Sequence, residues 1–254
     1  SFCNLNSQSF LNPSLDGNAG TSAAVPSDWL LVKNSNFNVY AIGNGSSPDI
    51  MPGTWGVNIP PSDGNAYVGM ICRSNGTWES MGHVLTDTLK ANECYSFTID
   101  LNWKSSNYAG YNNGQAKLRI WGIDNLWNVN TAIDYSTMEL LWEAGNAASP
   151  NQWQTVNVNL NPTKDFKYLI FDAHWFGSPY GGNVLIDNIS PITKTSINLN
   201  LGNDTILCQG QTLSLDAFNQ GAQYLWSDGS TNSSLNVTTS GSYAVTVSKG
   251  SCSI

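Results

Sequence analysis

Charged side chains are scarce in this sequence of 254 residues: 11% are charged, and only ten are Lys or Arg. Four of the eighteen acids are Glu. Because Glu, Lys and Arg usually cover the exposed faces of helices, a mostly helical protein is not expected. The net charge of −8 argues against binding nucleic acid, whose phosphates need clustered basic residues, and against docking on anionic lipid. No apolar run approaches the roughly 20 residues that span a bilayer, so membrane insertion is not expected.

Small neutral polar residues are abundant instead, with 32 Asn, 30 Ser and 18 Thr. These residue types favour turns, loops and strand edges. Hydrophobic residues make up 41% of the chain and aromatic residues 11%, which is enough to fill real cores and excludes disorder. Nothing at the start resembles a basic, apolar signal peptide, so a leader is either absent or already removed.

Several short segments rich in aromatic and β-branched residues predict strands. They are Ala66–Cys72, Cys94–Trp103, Ala116–Ile123, Thr155–Leu160 and Lys167–Ala173. Thr137–Trp142 fits either a helix or a further buried strand. Short strands separated by frequent turn signals predict an all-β protein, here a jelly-roll β-sandwich.

A domain boundary is expected near Pro191–Ser196, which gives a jelly-roll domain over residues 1–194 and a small Ig-like β-sandwich over residues 195–254. The second segment carries almost no charge, and Trp226 is expected on a central strand. The sequence ends two residues after Cys252, where a closing strand would continue. We therefore expect it to be part of a longer protein.

The five cysteines contain no CxxC pair, and only His83 and His174 could add imidazole ligands, so a zinc site has little support. Disulfides formed in an oxidising compartment fit better. Cys208 and Cys252 stand together near the end of the chain and are natural partners. Among the other three, Cys72 with Cys94 is the favoured pair, which leaves Cys3 without an assigned partner. Three buried free thiols are the alternative.

The segment after residue 194 resembles the Ig-like repeats of Bacteroidota surface and secreted proteins associated with gliding motility and type IX secretion. The motifs that carry this resemblance are LGNDTILC (Leu201–Cys208), LSLDA (Leu213–Ala217), YLWSDGST (Tyr224–Thr231) and SGSYAVTV (Ser240–Val247). The resemblance implies a Cys208–Cys252 bridge, a structural or adhesive module, and no catalysis.

The first 190 residues are similar to the jelly-roll modules found ahead of such repeats, which are of the galactose-binding-like, carbohydrate-binding-module-like kind. Motifs such as DGNAYVGM (Asp63–Met70), LRIWG (Leu118–Gly122) and VLIDNI (Val184–Ile189) carry this likeness. In related modules an acidic early strand meets the last strand around a structural Ca²⁺. Leu15-Asp16 stands here where those modules usually read Phe-Glu.

Calcium prefers carboxylate, amide and carbonyl oxygens, so the resemblance implies Asp16, Asn18 and Asp187 as candidate metal ligands. The alternative is that Asp16 caps a turn and that Asp187 accepts hydrogen bonds from backbone amides.

Sugar binding is indicated by loops that mix aromatic and small polar side chains, because aromatic faces stack on pyranose rings while amides bond the hydroxyls. The candidate ligand-binding residues are Tyr108, Tyr111, Trp127, Trp175 and Tyr180. Trp55 is a further candidate in an exposed loop. Alternatively, these aromatic residues fill cores and edges.

Catalysis is not expected. Glu79 with His83, and Asp172 with His174, are conceivable acid–base pairs, but the sequence contains no nucleophile elbow, zinc-protease motif or identifiable carboxylate pair flanking a cleft.

Thr88 and Thr205 lie in Asp-Thr-apolar triplets, which resemble the O-glycosylation motif of Bacteroidota.

The sequence thus predicts a non-catalytic extracellular adhesion or recognition module of a large secreted cell-surface protein, with a glycan or another surface ligand as partner. One alternative is a structural stalk or filament segment that contacts neighbouring modules or subunits. A second is the targeting module of a secreted hydrolase.

Overall fold

A computed structural model of the chain describes residues 7–8, 10–21, 24–31, 48–73, 78–105, 114–124, 138–145, 149–174, 181–250 and 252–253. Within these ranges every regular element is a β-strand, and no helix is long and apolar enough to cross a membrane. The chain divides into two compact units, Ser1–Lys194 and Thr195–Ile254. The prediction of an all-β protein built from a jelly-roll sandwich and a small Ig-like sandwich is confirmed.

The described strands up to Thr195 belong to the larger sandwich. They are β1 (Ser7–Gln8), β2 (Leu30–Leu31), β3 (Asp49–Met51), β4 (Tyr67–Cys72), β5 (Ser80–Leu89), β6 (Cys94–Asn102), β7 (Gly114–Gln115), β8 (Lys117–Ile123), β9 (Glu139–Glu143), β10 (Gln154–Leu160), β11 (Phe166–His174), β12 (Gly182–Asp187) and β13 (Ile192–Thr195).

These strands form two sheets. The eight-stranded sheet has the order β1-β13-β6-β12-β4-β3, with β10 paired to β6 and β7 paired to β12. The five-stranded sheet has the order β2-β5-β11-β8-β9. Its central strands pair antiparallel, with Ile170 opposite both Trp121 of β8 and Gly82 of β5.

The main core lies between the two sheets, because alternate residues of each strand point inward. Val68 and Met70 of β4 face the same core as Leu118 and Ile120 of β8. Gly122 continues the inward row of β8, where a Cβ would overlap the ring of Phe166. A second apolar cluster, which includes the fully buried Tyr67 and Leu185, covers the other face of the eight-stranded sheet.

The five segments predicted as strands are strands β4, β6, β8, β10 and β11. The segment that fitted either a helix or a strand contains β9, so the strand interpretation is correct. The ten-residue strand β5 was not predicted from the residue pattern.

The predicted Cys72–Cys94 disulfide is wrong. Cys72 is a buried free thiol, whereas Cys94 is disulfide-bonded. Strands β4 and β6 both pair antiparallel with β12 and therefore run parallel to each other. Gly69 of β4 and Asn102 of β6 lie opposite the same residue of β12, Leu185. Cys72 follows Gly69 by three residues, whereas Cys94 precedes Asn102 by eight. The two cysteines are therefore offset by 11 residues, about 36 Å along parallel strands. A disulfide needs Cα atoms within about 7 Å.

The smaller unit has a two-stranded and a three-stranded sheet, with orders β14-β16 and β15-β17-β18. The strands are β14 (Leu213–Asp216), β15 (Gln223–Trp226), β16 (Ser234–Val237), β17 (Val245–Lys249) and β18 (Cys252–Ser253). Trp226 is 2% exposed and packs in the core with Leu215 and Val247. Its indole N–H donates to the carbonyl of Asn232 at 2.8 Å.

The predicted Cys208–Cys252 disulfide is also wrong. Cys208 is an exposed free thiol, and Cys252 is buried and disulfide-bonded. Cys208 lies in a turn closed by two hydrogen bonds with Gln211, ahead of the two-stranded sheet. Cys252 instead lies on β18, at the edge of the three-stranded sheet. Cys3 lies outside the described residues.

Candidate functional site

The face of the five-stranded sheet that points away from the core carries aromatic and charged side chains in close contact. We call it the outer face. It is defined by Lys117, Arg119, Trp121 and Ile123 of β8 with their register partners His174, Asp172, Ile170 and Tyr168 of β11. Since Leu118, Ile120, Leu169 and Phe171 fill the core between them, alternation places these eight residues on the opposite side.

An arginine held between two tryptophans dominates one end of the outer face. The Arg119 guanidinium carbon lies 4.9 Å from the ring centroid of Trp121 and 5.5 Å from that of Trp78. Arg119 donates two hydrogen bonds of 2.8 Å to the Asp172 carboxylate, and the Trp121 indole N–H donates a third at 3.0 Å. These contacts fix the planes of the guanidinium and the indole. The stack of Trp78, Arg119 and Trp121, which we call the platform, is therefore rigid before any ligand binds.

Asp172 is fully buried, and burial raises its pKa while Arg119 counteracts the rise. Beside this pair, Lys117 bonds Glu143 at 2.7 Å. His174, opposite Lys117 in the register, has its pKa lowered by burial and then by the nearby Arg119. Each charge at this end thus has a partner of opposite sign, and the end as a whole is close to neutral.

The other end of the outer face is apolar. Ile123, Met138 and Ile170 form a buried cluster against which Trp121 and Tyr168 pack. At its borders Leu140 is 45% exposed and Val84 is 38% exposed. One ridge of the sheet therefore passes from paired charges through an indole to aliphatic side chains. That order suits a ligand with both hydroxyl groups and apolar C–H faces.

The predicted ligand-binding residues Tyr108, Tyr111, Trp127, Trp175 and Tyr180 all lie outside the described residues. The aromatic and charged residues of the outer face were not predicted as ligand-binding residues. The signal for them was present in KLRIWGI, where Lys117, Arg119 and Trp121 alternate with core aliphatic residues.

The conceivable acid–base pairs do not form. His83 points into the core, where its ring packs against Trp29 at 4.7 Å and its Nε2 accepts the Leu11 N–H at 3.0 Å. The Glu79 carboxylate accepts the Ile71 N–H and pairs with Arg73 instead. Asp172 and His174 share the outer face, but Arg119 and Trp121 occupy the Asp172 oxygens.

Two of the three predicted calcium ligands meet at one loop. Asp16 Oδ1 accepts the N–H groups of Asn65 and Ala66, and the buried Asp187 carboxylate accepts those of Ser62 and Asp63. Burial raises the pKa of Asp187 to about 6.

The third predicted ligand, Asn18, lies exposed in the next turn, and no hydrogen bond among the described residues joins its side chain to this loop. In the part of the chain that the structure describes, no group of three or more acidic, His or Cys side chains could hold a metal. The backbone amides therefore satisfy both carboxylates, as the alternative interpretation expects, and calcium stays a prediction.

The two predicted O-glycosylation sites differ in accessibility. Thr205 is exposed in a loop, between an exposed Asp204 and Ile206, which is 95% exposed. Thr88 is only partly exposed on β5, and the apolar residue of its triplet, Leu89, is fully buried. Of the two, Thr205 offers the accessible triplet.

No protein-family model and no curated protein matches the chain by sequence. Solved structures with a similar fold include the K2 adhesin domain of Lys-gingipain (11% identity, TM-score 0.42, covering 74% of this chain and 96% of that one). The K1 adhesin domain of Lys-gingipain from Porphyromonas gingivalis W83 matches with 16% identity and a TM-score of 0.40 over 69% of this chain and 95% of that one. The xylan-binding CBM22-1 domain from Paenibacillus barcinonensis Xyn10C matches with 12% identity and a TM-score of 0.37, over 70% and 97%. At these values the likeness concerns the β-sandwich fold alone.

Proposed function

We propose that the first unit is a non-catalytic recognition module that binds a neutral glycan on the outer face of its five-stranded sheet. The observation that carries this is the rigid Trp78–Arg119–Trp121 stack beside an apolar ridge. The Trp121 indole, fixed by its N–H bond to Asp172 and covered in part by Arg119, would stack its partly exposed surface on the C–H face of a pyranose ring. Lys117 and Glu143, both at the polar end, supply a donor and acceptors for hydroxyl groups.

Charge pairing favours a neutral ligand. Arg119 and Lys117, the cations of this face, are bound to Asp172 and Glu143 at 2.8 and 2.7 Å. An anionic ligand would have to compete with these carboxylates and would leave the buried Asp172 without its partner, which is costly. Hydroxyl groups, in contrast, can share the same donors and acceptors without breaking either pair.

The test is binding of the full chain to a glycan array and to soluble polysaccharides, followed by isothermal titration with any oligosaccharide that binds. Trp121→Ala should weaken binding by about ten- to a hundredfold, since stacking buries much of one indole face. Phe218→Ala, an exposed aromatic change in the second unit, is the matched control and should leave binding unchanged. Binding that survives Trp121→Ala would refute this site.

An extracellular location is supported by the disulfide bonding of Cys94 and Cys252, because disulfides persist in oxidising compartments. Type IX secretion and a role in gliding motility stay predictions. Calcium binding and O-glycosylation at Thr88 and Thr205 also stay predictions. If calcium binds at Asp16 and Asp187, adding it to chelator-treated protein will raise the melting temperature, and Asp16→Asn will abolish that rise.

A stalk or filament segment is the second candidate function, favoured by the second unit. Ile206, Phe218 and Leu225 are 95%, 66% and 57% exposed there. Exposed apolar side chains of this size suit contacts with neighbouring modules or chains. Concentration-dependent self-association that disappears when these three residues become Ser, measured by light scattering, would support this function over glycan binding.

A further inference from the structure

Trp55 is more exposed than the other described tryptophans. It is 50% exposed and, like the partly buried Trp103, belongs to none of the hydrophobic clusters. The tryptophans that do pack into those clusters are Trp29, Trp78, Trp121, Trp142, Trp153 and Trp226. The indole of Trp55 therefore adds little to the folding energy of the sandwich.

The backbone at Trp55 is unfavourable for a bulky residue. Its φ is +51°, in the left-handed region where glycine and asparagine are the usual occupants. The neighbouring Gly53 and Gly56, with φ of +103° and +76°, take such values without a steric cost. A tryptophan at this position is strained, and strain of this kind concentrates at functional sites.

The turn that carries Trp55 is rigid. The Gly53 N–H donates to the Val57 carbonyl at 2.8 Å, and the Val57 N–H donates back to the Thr54 carbonyl at 2.9 Å. Val57 and Met51, on either side of the turn, are fully buried. The indole is therefore held on a fixed base at the end of β3, which is an edge strand of the eight-stranded sheet.

A second exposed turn lies directly against this one. A Cβ at Gly53 would lie 3.6 Å from the Cα of Gly20, and one at Gly20 would lie 3.8 Å from the Pro52 carbonyl. Asn18, two residues before Gly20, is exposed, and its amide makes no hydrogen bond with any described residue. Two turns in backbone contact thus carry one exposed aromatic ring and one exposed amide.

We propose that Trp55 and Asn18 form a second carbohydrate contact, separate from the outer face. Trp55 would stack on the C–H face of a neutral pyranose, while the Asn18 amide would bond hydroxyl groups of the same or the next sugar. The ligand class rests on the proposed function, but the location does not, because this contact lies on the other sheet. A long polysaccharide that touches both places gains avidity from the second contact.

The experiment compares polymer with oligomer binding by the full chain. Affinity electrophoresis in soluble β-1,4-glucan, β-1,4-xylan and β-1,4-mannan measures polymer binding, and titration with the matching hexasaccharide measures binding at the outer face. Trp55→Ala and Asn18→Ala should weaken polymer binding, the first by about tenfold or more, and leave hexasaccharide affinity unchanged. Trp121→Ala should weaken both.

Unchanged polymer binding in Trp55→Ala, together with loss in Trp121→Ala, would overturn this proposal and leave the proposed function intact. A wild-type chain that binds no polymer would overturn this contact. Trp55→Gly supplies a second readout, because glycine accepts the φ of this position. We expect its melting temperature to stay equal or rise while polymer binding falls. A lower melting temperature would assign Trp55 a structural role instead.

Discussion

Removing the Asp172 carboxylate tests the physical basis of the outer face most directly. Asp172 is fully buried and accepts three hydrogen bonds, two from Arg119 and one from Trp121. In Asp172→Ala the guanidinium, whose side chain is only 11% exposed, keeps its charge but loses its partner. We expect the free energy of unfolding to fall and the indole of Trp121 to lose its fixed orientation.

The expected loss of unfolding free energy depends on whether one partner of the buried Arg119–Asp172 pair is removed or both are replaced. Removing one partner of such a pair costs about 3–5 kcal/mol, because a charge is left uncompensated. Since Arg119 also stacks on Trp78 and Trp121 and retains some exposure, we expect the lower end, about 3 kcal/mol. Replacing both partners with apolar residues, Arg119→Met with Asp172→Leu, removes the charge as well, so the double change should cost less than the sum of the two single changes by at least about 1.5 kcal/mol.

Urea denaturation of the wild-type chain, Asp172→Ala, Arg119→Met, Asp172→Leu and the double variant, followed by tryptophan fluorescence, provides these free energies. The exposed pair Lys90–Asp165, at 2.7 Å with both side chains about half exposed, is the matched control. Breaking it with Asp165→Ala should lower the free energy of unfolding far less than Asp172→Ala does, because solvent screens an exposed pair. A cost below 1 kcal/mol for Asp172→Ala, or strict additivity in the double change, would refute the argument.

Burial lowers the pKa of both His83 and His174, so the unfolded chain takes up protons that the folded chain refuses. The contribution of each histidine to stability should therefore fall as the pH drops below about 6.5, whereas the raised pKa of Asp187 acts in the opposite direction. The test is thus the difference between the profiles of unfolding free energy against pH for the wild-type chain and His83→Gln, and identical profiles would refute this. Gly64→Ala should destabilise the sandwich by about 2 kcal/mol or more, because φ is +58° and a Cβ would overlap the Asp16 carboxylate. A urea denaturation midpoint equal to that of the wild-type chain would contradict this prediction. The exposed Cys208 thiol should react with a maleimide in the native state, as mass spectrometry will show, and protection of this thiol would count against its free, exposed placement.

Much of the fold could be predicted because hydrophobic alternation is directly readable in strands with purely apolar inward positions. In β8, Leu118 and Ile120 point inward while Arg119 and Trp121 point outward, and the pattern is visible in the sequence. Strand β5 hides the same pattern, since the core position that faces Leu169 is taken by His83. Because histidine counts as a polar residue in a hydrophobicity pattern, a buried histidine interrupts the alternation that would otherwise predict the strand.

The disulfide predictions failed for a related reason: pairing depends on distances across sheets. Cys72 and Cys94 both flank strands, but no local pattern reveals that β12 lies between those strands or how their register runs. Loop closure favours neighbours in sequence only when the ends can meet. The long offset between the two cysteines is a property of the assembled sheet.

The candidate site shows the same limit from the other direction. Aromatic residues in polar loops are easily proposed as ligand-binding residues, whereas Trp121 lies within a predicted strand, where an aromatic residue usually has only a packing role. Only the register that puts Asp172 opposite Arg119 reveals that a buried carboxylate fixes both the guanidinium and the indole. The same pairing that neutralises the charges also makes the platform rigid, so neutrality and preorganisation of this face have one physical cause. A ligand selected by such a surface gains from shape and apolar contact, and it gains little from charge.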